Sequence, residues 1–457
     1  MKIKNICCIG AGYVGGPTMA VIASKCPDIN ITLVDTNPER INLWNGSLDS
    51  LPIFEPGLME IIKEVRGKNL FFSTEIDKSI INSEIIFIAV NTPTLTEGPG
   101  AGFGANLDYV KECARRIAKV SKSNKIVIEK STVRIKTAET IKEIFDSQNQ
   151  DYHFEILSNP EFLAEGTAIN DLLNPDRVII GGSESKEGKT AVNILRDIYL
   201  NWVKEDKILT TNVWSSELSK LASNAMLAQR VSSINSLSAL CEKTGANILE
   251  VSKAIGMDNR IGEKFLKPSV GFGGSCFQKD ILNLVYLCKF YQLNEVAEYW
   301  HQVVKINDYQ KNRFLKKITD NLKKPYKGIQ ITFLGWSFKK NTNDSRESPA
   351  IYIAYELLKL GFIINVYDPK SSEKIIKNDI KDLAIKEQYS INNLKIKFIN
   401  DPYQAALNSE CIAVLTEWDE FISYDWKKIK NSLIGKQFVI DGRYIIKGIE
   451  HINKLEF

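Results

Sequence analysis

The sequence predicts an α/β protein in which two parallel-sheet regions flank a helical region. Three observations support this fold class: β-rich runs alternate with helical patterns in the first third, one long stretch has helical periodicity, and the alternation resumes from Gln330. Alternating strands and helices are typical of a parallel sheet covered on both faces. We expect a first domain over residues 1–212, a central helical domain over 213–325 and a third domain over 326–457.

The strands of both sheet regions are predicted from short apolar runs bounded by turn residues. In the first region these runs cover residues 3–9, 31–35, 85–90, 126–129 and 155–157. In the last region they cover residues 331–334, 363–367, 411–415 and 438–440. The two ends of the chain are therefore similar in pattern, although they are not similar in sequence.

A long helix is predicted between the two sheet regions. Apolar residues recur with helical spacing at Leu218, Leu221, Ala222, Ala225, Val231, Ile234 and Leu237. We expect Ser215 or Ser216 to cap the start of this helix and Gly245 to end it. Roughly 30 helical residues span ~45 Å, a length that suits a connector or a subunit interface.

The composition excludes several classes of function. The 457 residues include 59 Lys and Arg and 55 Asp and Glu, and this net charge of +4 is too small for a dedicated nucleic-acid or membrane-surface binder. No apolar run approaches the ~20 residues of a spanning helix. The 8 cysteines form no CxxC pair and there are 3 histidines. We therefore expect no metal site, and free thiols in the reducing cytoplasm.

A glycine-rich turn after the first predicted strand indicates a dinucleotide site. Gly10, Gly12 and Gly15 match GxGxxG between a predicted strand and a predicted helix, the context that the motif requires. Asp35 follows about 20 residues later, where an acid binds the ribose and repels a 2′-phosphate. We therefore predict NAD rather than NADP, although Arg40 offers a positive charge to a phosphate. The alternative is a glycine-rich turn beside a surface aspartate.

Cys276 differs from the other cysteines because a glycine-rich loop, GFGGS at 271–275, precedes it. The loop leads into a helical pattern, so the thiol is expected at or near a helix N-terminus, where a thiolate is favoured. Asp280 lies one turn further along, on the same helix face. The alternative is a buried, inert cysteine, which is the usual fate of a free thiol.

Lys220 and Asn224 are one turn apart on the predicted long helix and therefore share a face. Such a pair can stabilise an alkoxide or a tetrahedral oxyanion. The alternative is a solvated helix face, and spacing alone favours that interpretation.

Several motifs, in order along the chain, resemble the UDP-glucose/GDP-mannose dehydrogenase family, and most closely its animal-type UDP-glucose dehydrogenases. They are the turn at 10–15, SNPEFLAEG at 158–166, Lys220 with Asn224, GFGGSCFQKD at 271–280 and FKK at 338–340. The resemblance covers essentially the whole chain. It implies two Rossmann-like domains joined by a long central helix and a helical domain, and a homo-oligomer built of one or more dimers.

The resemblance also implies a reaction, in which UDP-glucose is oxidised to UDP-glucuronate by two hydride transfers to NAD. The implied intermediates are a thiohemiacetal and a thioester on Cys276, and hydrolysis of the thioester is the last step. It assigns the nucleophile to Cys276, the acid/base and oxyanion roles to Lys220 with Asn224, an assisting role to Asp280, and water activation to Glu161 and Thr132.

Two larger sets of binding residues follow from the same resemblance. The NAD set is Gly10, Ala11, Gly12, Tyr13, Val14, Gly15, Asp35, Arg40, Val90, Asn91, Thr92, Pro93, Thr94, Ser131, Thr132, Val133, Glu165 and Arg346. The UDP-glucose set is Glu161, Phe162, Leu163, Ala164, Glu165, Lys220, Leu221, Ala222, Ser223, Asn224, Arg260, Lys267, Pro268, Ser269, Val270, Gly271, Phe272, Gly273, Phe338, Lys339 and Arg443. Sites of this family can borrow an arginine such as Arg260 or Arg443 from a neighbouring subunit.

Three alternatives stay open at this point. A dehydrogenase of UDP-N-acetyl sugars or GDP-mannose would share NAD, Cys276 and Lys220. A two-electron β-hydroxyacid dehydrogenase would use a comparable lysine and asparagine but needs no thiol. A catalytically inactive NAD-sensing or scaffolding protein would not require Cys276, Lys220 and Glu161 to be intact.

Overall fold

The computed structural model describes residues 3–148, 151–390, 394–447 and 453–455. The chain divides into two compact units, which comprise residues 1–223 and 224–457. Each unit contains its own predominantly parallel sheet, so the α/β fold class predicted from the sequence is confirmed. The predicted three-domain division remains a prediction.

The sheet of unit 1 has eight strands, with β1 at Asn5–Ile9, β2 at Asn30–Val34, β3 at Leu70–Ser73, β4 at Ile85–Ile88, β5 at Lys125–Glu129, β6 at Phe154–Ser158, β7 at Val178–Gly182 and β8 at Ile208–Asn212. Their spatial order is β3-β2-β1-β4-β5-β6-β7-β8. Neighbouring strands pair in parallel except β6 and β7, which meet in antiparallel at Ser158 and Gly181. The first six strands therefore have the order of a dinucleotide-binding sheet.

The helices of unit 1 are α1 at Gly15–Lys25, α2 at Pro38–Asn45, α3 at Leu58–Val65, α4 at Ile76–Asn82, α5 at Asp108–Val120, α6 at Thr137–Gln148, α7 at Ala168–Leu173 and α8 at Lys186–Tyr199. They cover both faces of the sheet. Cys8 packs into a core with Leu33 and Trp44, whereas the adjacent Cys7 packs into a separate core with Ile86 and Val127. Alternate strand residues are therefore buried on opposite faces, which explains the continuous apolar runs.

Unit 2 begins within the long helix α9, Val213–Thr244, and continues with α10 at Ile248–Gly256, α11 at Phe277–Phe290, α12 at Asn294–Asp320, α13 at Pro349–Lys359, α14 at Glu373–Lys386, α15 at Pro402–Ala406 and α16 at Trp426–Ser432. Its strands are β9 at Gln330–Leu334, β10 at Ile363–Tyr367, β11 at Lys395–Phe398, β12 at Cys411–Val414, β13 at Phe438–Asp441 and β14 at Asn453–Leu455. Their order, β11-β10-β9-β12-β13-β14, repeats that of the first six strands of unit 1, and every pair is parallel.

Several strands were not predicted from the sequence. β3 and β8 are the outer strands of the first sheet and β11 is an outer strand of the second. β8 and β11 are partly exposed, so they lack the apolar run of a strand that is buried on both faces. β7 is buried, but its sequence VIIGG ends in two glycines that resemble a turn.

The start of α9 also differs from the prediction. The helix begins at Val213, and the Oδ1 of Asn212 accepts a hydrogen bond from the Ser215 N–H at 2.8 Å. Ser215 and Ser216 therefore lie inside the helix, and the Oγ of Ser216 donates to the Ser158 carbonyl oxygen at 3.2 Å. Gly245, with φ of 78°, follows the last residue of the helix, as the sequence predicted.

Across the described ranges, no helix has both the length and the apolar character needed to cross a membrane.

Candidate active site

The glycine turn after β1 leaves room for a phosphate-bearing ligand. Gly10 has φ of 113°, and a Cβ there would lie 2.3 Å from the Ala89 carbonyl oxygen. A Cβ on Gly15 would lie 2.0 Å from the Gly10 carbonyl oxygen, whereas one on Gly12 would meet no atom within 4 Å. Gly12 therefore opens onto free space, directly before the N-terminus of α1. This arrangement fits the pyrophosphate of a dinucleotide.

Asp35 lies directly after β2, beside this turn. Its Oδ2 accepts the Ala11 N–H at 2.9 Å, and its Oδ1 accepts the Asn37 N–H at 2.9 Å. Arg40 Nη1 lies 3.2 Å from Oδ2, while the Arg40 side chain remains 39% exposed. The two opposing charges predicted for this site are thus an ion pair, at the strand end where the ribose of a dinucleotide binds.

Two further predicted cofactor segments come together where β4 and β5 end. The Oγ of Ser131 donates to the Val90 carbonyl oxygen at 2.7 Å. The Oγ1 of Thr92 donates to the Thr132 carbonyl oxygen at 2.6 Å. Val133 is buried in the core beneath this segment. The remaining predicted NAD residues near these segments are Tyr13 and Val14 on the first turn and Asn91, Pro93 and Thr94 on the loop after β4.

Glu161 is buried shortly after β6, with a cation beside it. Lys130 Nζ lies 3.0 Å from its Oε2, and the N–H groups of Phe162 and Leu163 donate to its Oε1 at 2.8 and 3.0 Å. Burial alone would raise the pKa of Glu161. Lys130, Lys220 and the Leu163 N–H outweigh that effect and hold the pKa of the carboxyl below its ordinary value. Glu161 is therefore an ionised carboxylate inside the protein.

Two cationic side chains of unit 1 lie over the ring of Phe162. The Arg177 guanidinium lies 4.0 Å from the ring centroid and Lys220 Nζ lies 5.4 Å from it. Arg177 Nη2 also donates to Ser223 Oγ at 3.1 Å. Arg177 thus connects Phe162 to Ser223, and Lys220 contacts the same Phe162 ring. Arg177 was not predicted from the sequence, because it directly precedes β7, a strand that was not predicted.

Glu55 anchors the predicted segment that contains Leu163, Ala164 and Glu165. Its buried carboxylate accepts the N–H groups of Gly166 and Ala168 at 2.9 and 2.6 Å. This role of Glu55 was not predicted from the sequence either. Glu55 lies 111 residues before Gly166 and in no recognisable motif, so only the folded topology identifies it.

Lys220 and Asn224 are buried, with 7% and 6% of their surfaces exposed, so the alternative of a solvated helix face is wrong. Lys220 belongs to unit 1 and Asn224 to unit 2. Within unit 2, Asn224 Nδ2 donates to Asp280 Oδ2 at 2.6 Å. Leu221 is fully buried and serves packing, and Ala222 lies beside it on the same helix.

Cys276 directly precedes α11, as the glycine loop predicted. All eight cysteines lie in described ranges, and Cys276 is the one that is exposed, so the alternative of a buried cysteine is wrong, while its role as nucleophile remains a prediction. Burial raises the pKa of Cys26 to about 11 and that of Cys113 to about 12, so those thiols are protonated near neutral pH. Asp280, one turn after Cys276, is almost completely buried.

The predicted substrate loop is held by buried amides of α12. Asn307 Oδ1 accepts the Phe272 N–H at 2.8 Å, and its Nδ2 donates to the Phe272 carbonyl oxygen at 3.1 Å. Gln310 Nε2 donates to the Ser269 carbonyl oxygen at 2.8 Å. These bonds fix the backbone at Ser269 and Phe272. Both residues belong to the predicted segment Lys267, Pro268, Ser269, Val270, Gly271, Phe272 and Gly273.

Phe338 and Arg443 lie beside this loop within unit 2. A Cβ on Gly274 would lie 3.0 Å from the Phe338 ring. Arg443 Nη2 donates to the Phe338 carbonyl oxygen at 3.0 Å, and Lys339 Nζ lies 5.5 Å from the Phe338 ring. Unit 2 thus brings together the loop, Phe338, Lys339 and Arg443, four parts of the predicted substrate set.

Two predicted arginines pair with aspartates close to them in sequence. Arg260 is 89% exposed on the turn after α10, where its Nη2 lies 2.6 Å from Asp258 Oδ2. Arg346 was assigned to NAD but belongs to unit 2, where its Nη2 lies 2.6 Å from Asp344 Oδ2. The roles of both arginines remain predictions.

In the part of the chain that the structure describes, no three His, Cys, Asp or Glu residues are grouped so as to hold a metal ion.

Comparison with known sequences assigns all three regions to one family. Residues 4–203 match the NAD binding domain of the UDP-glucose/GDP-mannose dehydrogenase family, residues 214–309 its central domain and residues 332–448 its UDP binding domain. The chain is 54% identical to UDP-glucose 6-dehydrogenase 4 of Arabidopsis thaliana, over 99% of this chain and 94% of that protein. It is 53% identical to the Mus musculus UDP-glucose 6-dehydrogenase, over 98% and 91%.

Comparison with solved structures gives the same picture. A UDP-glucose dehydrogenase from the hyperthermophilic archaeon Pyrobaculum islandicum matches with a TM-score of 0.83 and 28% identity, covering 97% of this chain and 95% of the other. A UDP-D-ManNAc dehydrogenase from Pyrococcus horikoshii has a TM-score of 0.79 at 24% identity, covering 97% and 96%, and is similar in fold.

Proposed function

The chain belongs to the UDP-glucose/GDP-mannose dehydrogenase family, and we propose that it oxidises UDP-glucose to UDP-glucuronate in two NAD-dependent steps, through a thioester on Cys276. It is an NAD-dependent oxidoreductase, as its NAD binding domain and its relatives of 53 to 54% identity indicate. Those relatives are named for UDP-glucose, which supports this sugar over UDP-N-acetyl sugars or GDP-mannose. The observation that carries the covalent route is the exposed Cys276 at the start of α11.

Bound NAD⁺ supplies the hydride acceptor for both oxidations. The residues of unit 1 provide its binding site. The turn at Gly10 and Gly12 offers space for the phosphates, the N-terminus of α1 offers them backbone N–H groups, and Asp35 offers its carboxylate for the ribose.

Lys220 acts in the first oxidation. Its uncharged amine takes the proton of the C6 hydroxyl while hydride leaves C6, and the ammonium group that forms stabilises the negative charge developing on that oxygen. The product is an aldehyde. Asn224 assists at the same oxygen, because one N–H of its amide is anchored on Asp280 and the other remains for the substrate.

Cys276 acts in the second oxidation and in hydrolysis. Its thiolate adds to the aldehyde carbon, and the thiohemiacetal loses hydride and a proton to become a thioester. Glu161 then accepts a proton from a water molecule that Thr132 helps to position. The water oxygen attacks the thioester carbonyl, the C–S bond breaks, and the products are a carboxylate and the restored thiol.

Substitution of Cys276 and Glu161 tests this route. Cys276→Ser should abolish steady-state UDP-glucuronate formation and leave NAD binding intact, because a serine hydroxyl is far less ionised than the thiol. Glu161→Gln should accumulate a UDP-glucuronyl adduct on Cys276 after a burst of about two NADH per site. Cys113→Ser, which changes a thiol outside the site, serves as the control. Intact-protein mass spectrometry and stopped-flow absorbance provide the measurements.

Near-normal four-electron turnover by Cys276→Ser would overturn the covalent route. The choice of sugar has its own test, because the enzyme should produce two NADH per UDP-glucose and far less with UDP-N-acetyl sugars or GDP-mannose. Faster turnover of one of those sugars would overturn UDP-glucose as the substrate.

We also propose that the enzyme is a homo-oligomer in the cytoplasm, built of one or more dimers. Exposed apolar side chains on the long helix, Met226, Leu237 and Leu240, are suited to a subunit interface. The eight free cysteines are consistent with a reducing compartment.

A further inference from the structure

Lys130 is a buried cation to which the reaction above assigns no role. It directly follows β5, and its side chain is 4% exposed. Its Nζ lies 3.0 Å from Glu161 Oε2, 3.1 Å from Asn159 Oδ1 and 3.4 Å from the Tyr199 hydroxyl. An ammonium group has three N–H bonds, so the three oxygens use its full donor capacity.

The partners of Lys130 are themselves fixed. Tyr199 donates its hydroxyl proton to Asn159 Oδ1 at 2.6 Å, and Asn159 Nδ2 donates to the Ile179 carbonyl oxygen at 2.7 Å. Glu161 receives a further contact from Thr18 Oγ1 at 3.4 Å. The ammonium group is thus the centre of a hydrogen-bonded network that connects β6, β7 and α8 to Glu161. Such a network holds its members in one arrangement.

Charge reinforces this geometry. Burial works against the charge on Lys130, but Glu161 and Tyr199 more than compensate and raise the pKa of the ammonium group. The ionisable groups that face Glu161 are Lys130, Lys220 and Tyr199. Burial raises the pKa of Tyr199, so that phenol stays neutral. Lys130 is therefore the cation in direct contact with Glu161 that keeps it ionised, and Lys220 adds to this effect only while its amine is protonated.

We propose that Lys130 is a positioning residue for hydrolysis, which holds Glu161 ionised and in one orientation to accept a proton from the attacking water. This inference rests on the proposed function, because that function assigns the water to Glu161. Lys130 also immediately precedes Ser131 and Thr132, and its N–H donates to the Ile88 carbonyl oxygen at 2.9 Å. One fixed segment thus carries both the partner of Glu161 and the second residue assigned to the water.

The test compares two buried lysines of the same strand region. Lys130→Met should keep the burst of two NADH, while its steady-state rate falls about 100-fold, the loss expected for a misplaced reacting group. Its turnover should also become dependent on pH and recover as pH rises, because loss of the adjacent cation raises the pKa of Glu161. Lys130→Arg should restore most of the wild-type pH profile.

Lys125→Met is the matched control. Lys125 begins β5, is also buried, and donates from Nζ to the carbonyl oxygens of Ile81 and Ser83 at 3.0 and 2.6 Å. Its substitution should leave the burst and the pH profile unchanged. If Lys130→Met does not fold, Lys130→Gln tests the same loss of charge.

The possible failures are distinguishable. Equal losses of burst and steady-state rate in Lys130→Met, at every pH, would mean that Lys130 is only structural, and the proposed function would stand. A wild-type pH profile in a folded Lys130→Met or Lys130→Gln enzyme would also overturn the positioning role. Absence of a Cys276 adduct in Glu161→Gln would instead contradict the proposed function, whatever Lys130→Met does.

Discussion

The turns after β1 and β9 begin in the same way, in two sheets that share the order of six strands. Gly10 and Gly335 both have positive φ, 113° and 99°. Each donates its N–H to the last residue of the neighbouring strand, Val34 or Tyr367, at 2.8 Å. In both units an aspartate directly follows that neighbouring strand. Asp35 accepts the N–H of Ala11, and Asp368 accepts the N–H of Trp336, the residue after the glycine in each turn.

The two aspartates differ in how much of their hydrogen-bonding capacity the protein uses. Asp35 accepts two backbone N–H groups and pairs with the half-exposed Arg40. Asp368 is 3% exposed and accepts five N–H groups, those of Trp336, Ser337, Lys370, Ser371 and the Trp418 indole. A carboxylate offers about four lone-pair sites, so Asp368 has no capacity for ribose hydroxyls.

The helices after these turns differ as well. α1 begins at Gly15, so its free N–H groups lie next to the glycine turn. α13 does not begin until Pro349, and the intervening segment carries Phe338 and Lys339. The strand order that is usual for dinucleotide-binding sheets is thus not sufficient to form a dinucleotide site. Two features decide which ligand the turn can bind. They are the hydrogen-bonding capacity that the aspartate has left and the distance along the chain from the glycine to the start of the next helix.

Asp368→Ala should have the largest effect of the variants that test this comparison. It leaves the buried N–H groups of Trp336, Ser337 and Trp418 without an acceptor, at a cost of ~1–3 kcal/mol each. We expect the free energy of unfolding to fall by about 3–5 kcal/mol, measured by urea denaturation with tryptophan fluorescence. Asp35→Ala should cost less, about 1–2 kcal/mol, because it leaves one fully buried N–H, that of Ala11, without its acceptor. Equal losses would contradict the distinction.

Lys339→Ala should have the next largest effect. If the second turn binds the UDP half of the substrate, Lys339 meets its diphosphate, a charge-assisted contact of roughly 1.5–3 kcal/mol. The KM for UDP-glucose should rise about 10- to 100-fold, with far less change in the KM for NAD. Lys340→Ala is the control, because Lys340 Nζ is paired with Asp419 at 2.7 Å. A larger rise in the KM for NAD would show that the ligands of the two turns are exchanged.

Asp35→Ala should have the smallest effect on catalysis. Its kcat/KM with NAD should fall about tenfold because the ribose loses its acceptor, while turnover persists. Its kcat/KM with NADP should rise, since Arg40 is then free to meet a 2′-phosphate. Adding Arg40→Ala should remove that rise. Steady-state kinetics with both cofactors give the answer, and equal kcat/KM values for the wild-type enzyme would refute the role of Asp35.

The sequence was sufficient to predict the central strands of both sheets. β1, β4, β9 and β12 are buried on both faces, so their apolar runs are continuous and easy to recognise. Outer strands such as β11 carry lysines that face solvent, and their existence depends on a neighbour that the local sequence does not reveal.

Site residues that belong to a recognisable sequence motif were predictable. Site residues that are brought together only by the fold were not. Cys276 and Gly12 lie in recognisable glycine-rich segments. Lys130 and Arg177 act through residues that approach them only after the strands have been ordered in the sheet. The spacing of Lys220 and Asn224 in the sequence even favoured a solvent-exposed Lys220. Helical periodicity does not show which face of a helix another element covers.

The glycine turn after β1 also constrains how this sequence can change over evolutionary time. The atoms that a side chain would strike at Gly10 and Gly15 are carbonyl oxygens of the backbone, so no substitution elsewhere can make room. At Gly16 the obstacle is the ring of Trp44, which would lie 2.5 Å from an added Cβ, and a smaller residue in place of the tryptophan would relieve the clash. Gly16 and Trp44 can therefore be replaced together, whereas Gly10 and Gly15 are closed to substitution as long as the chain keeps this turn.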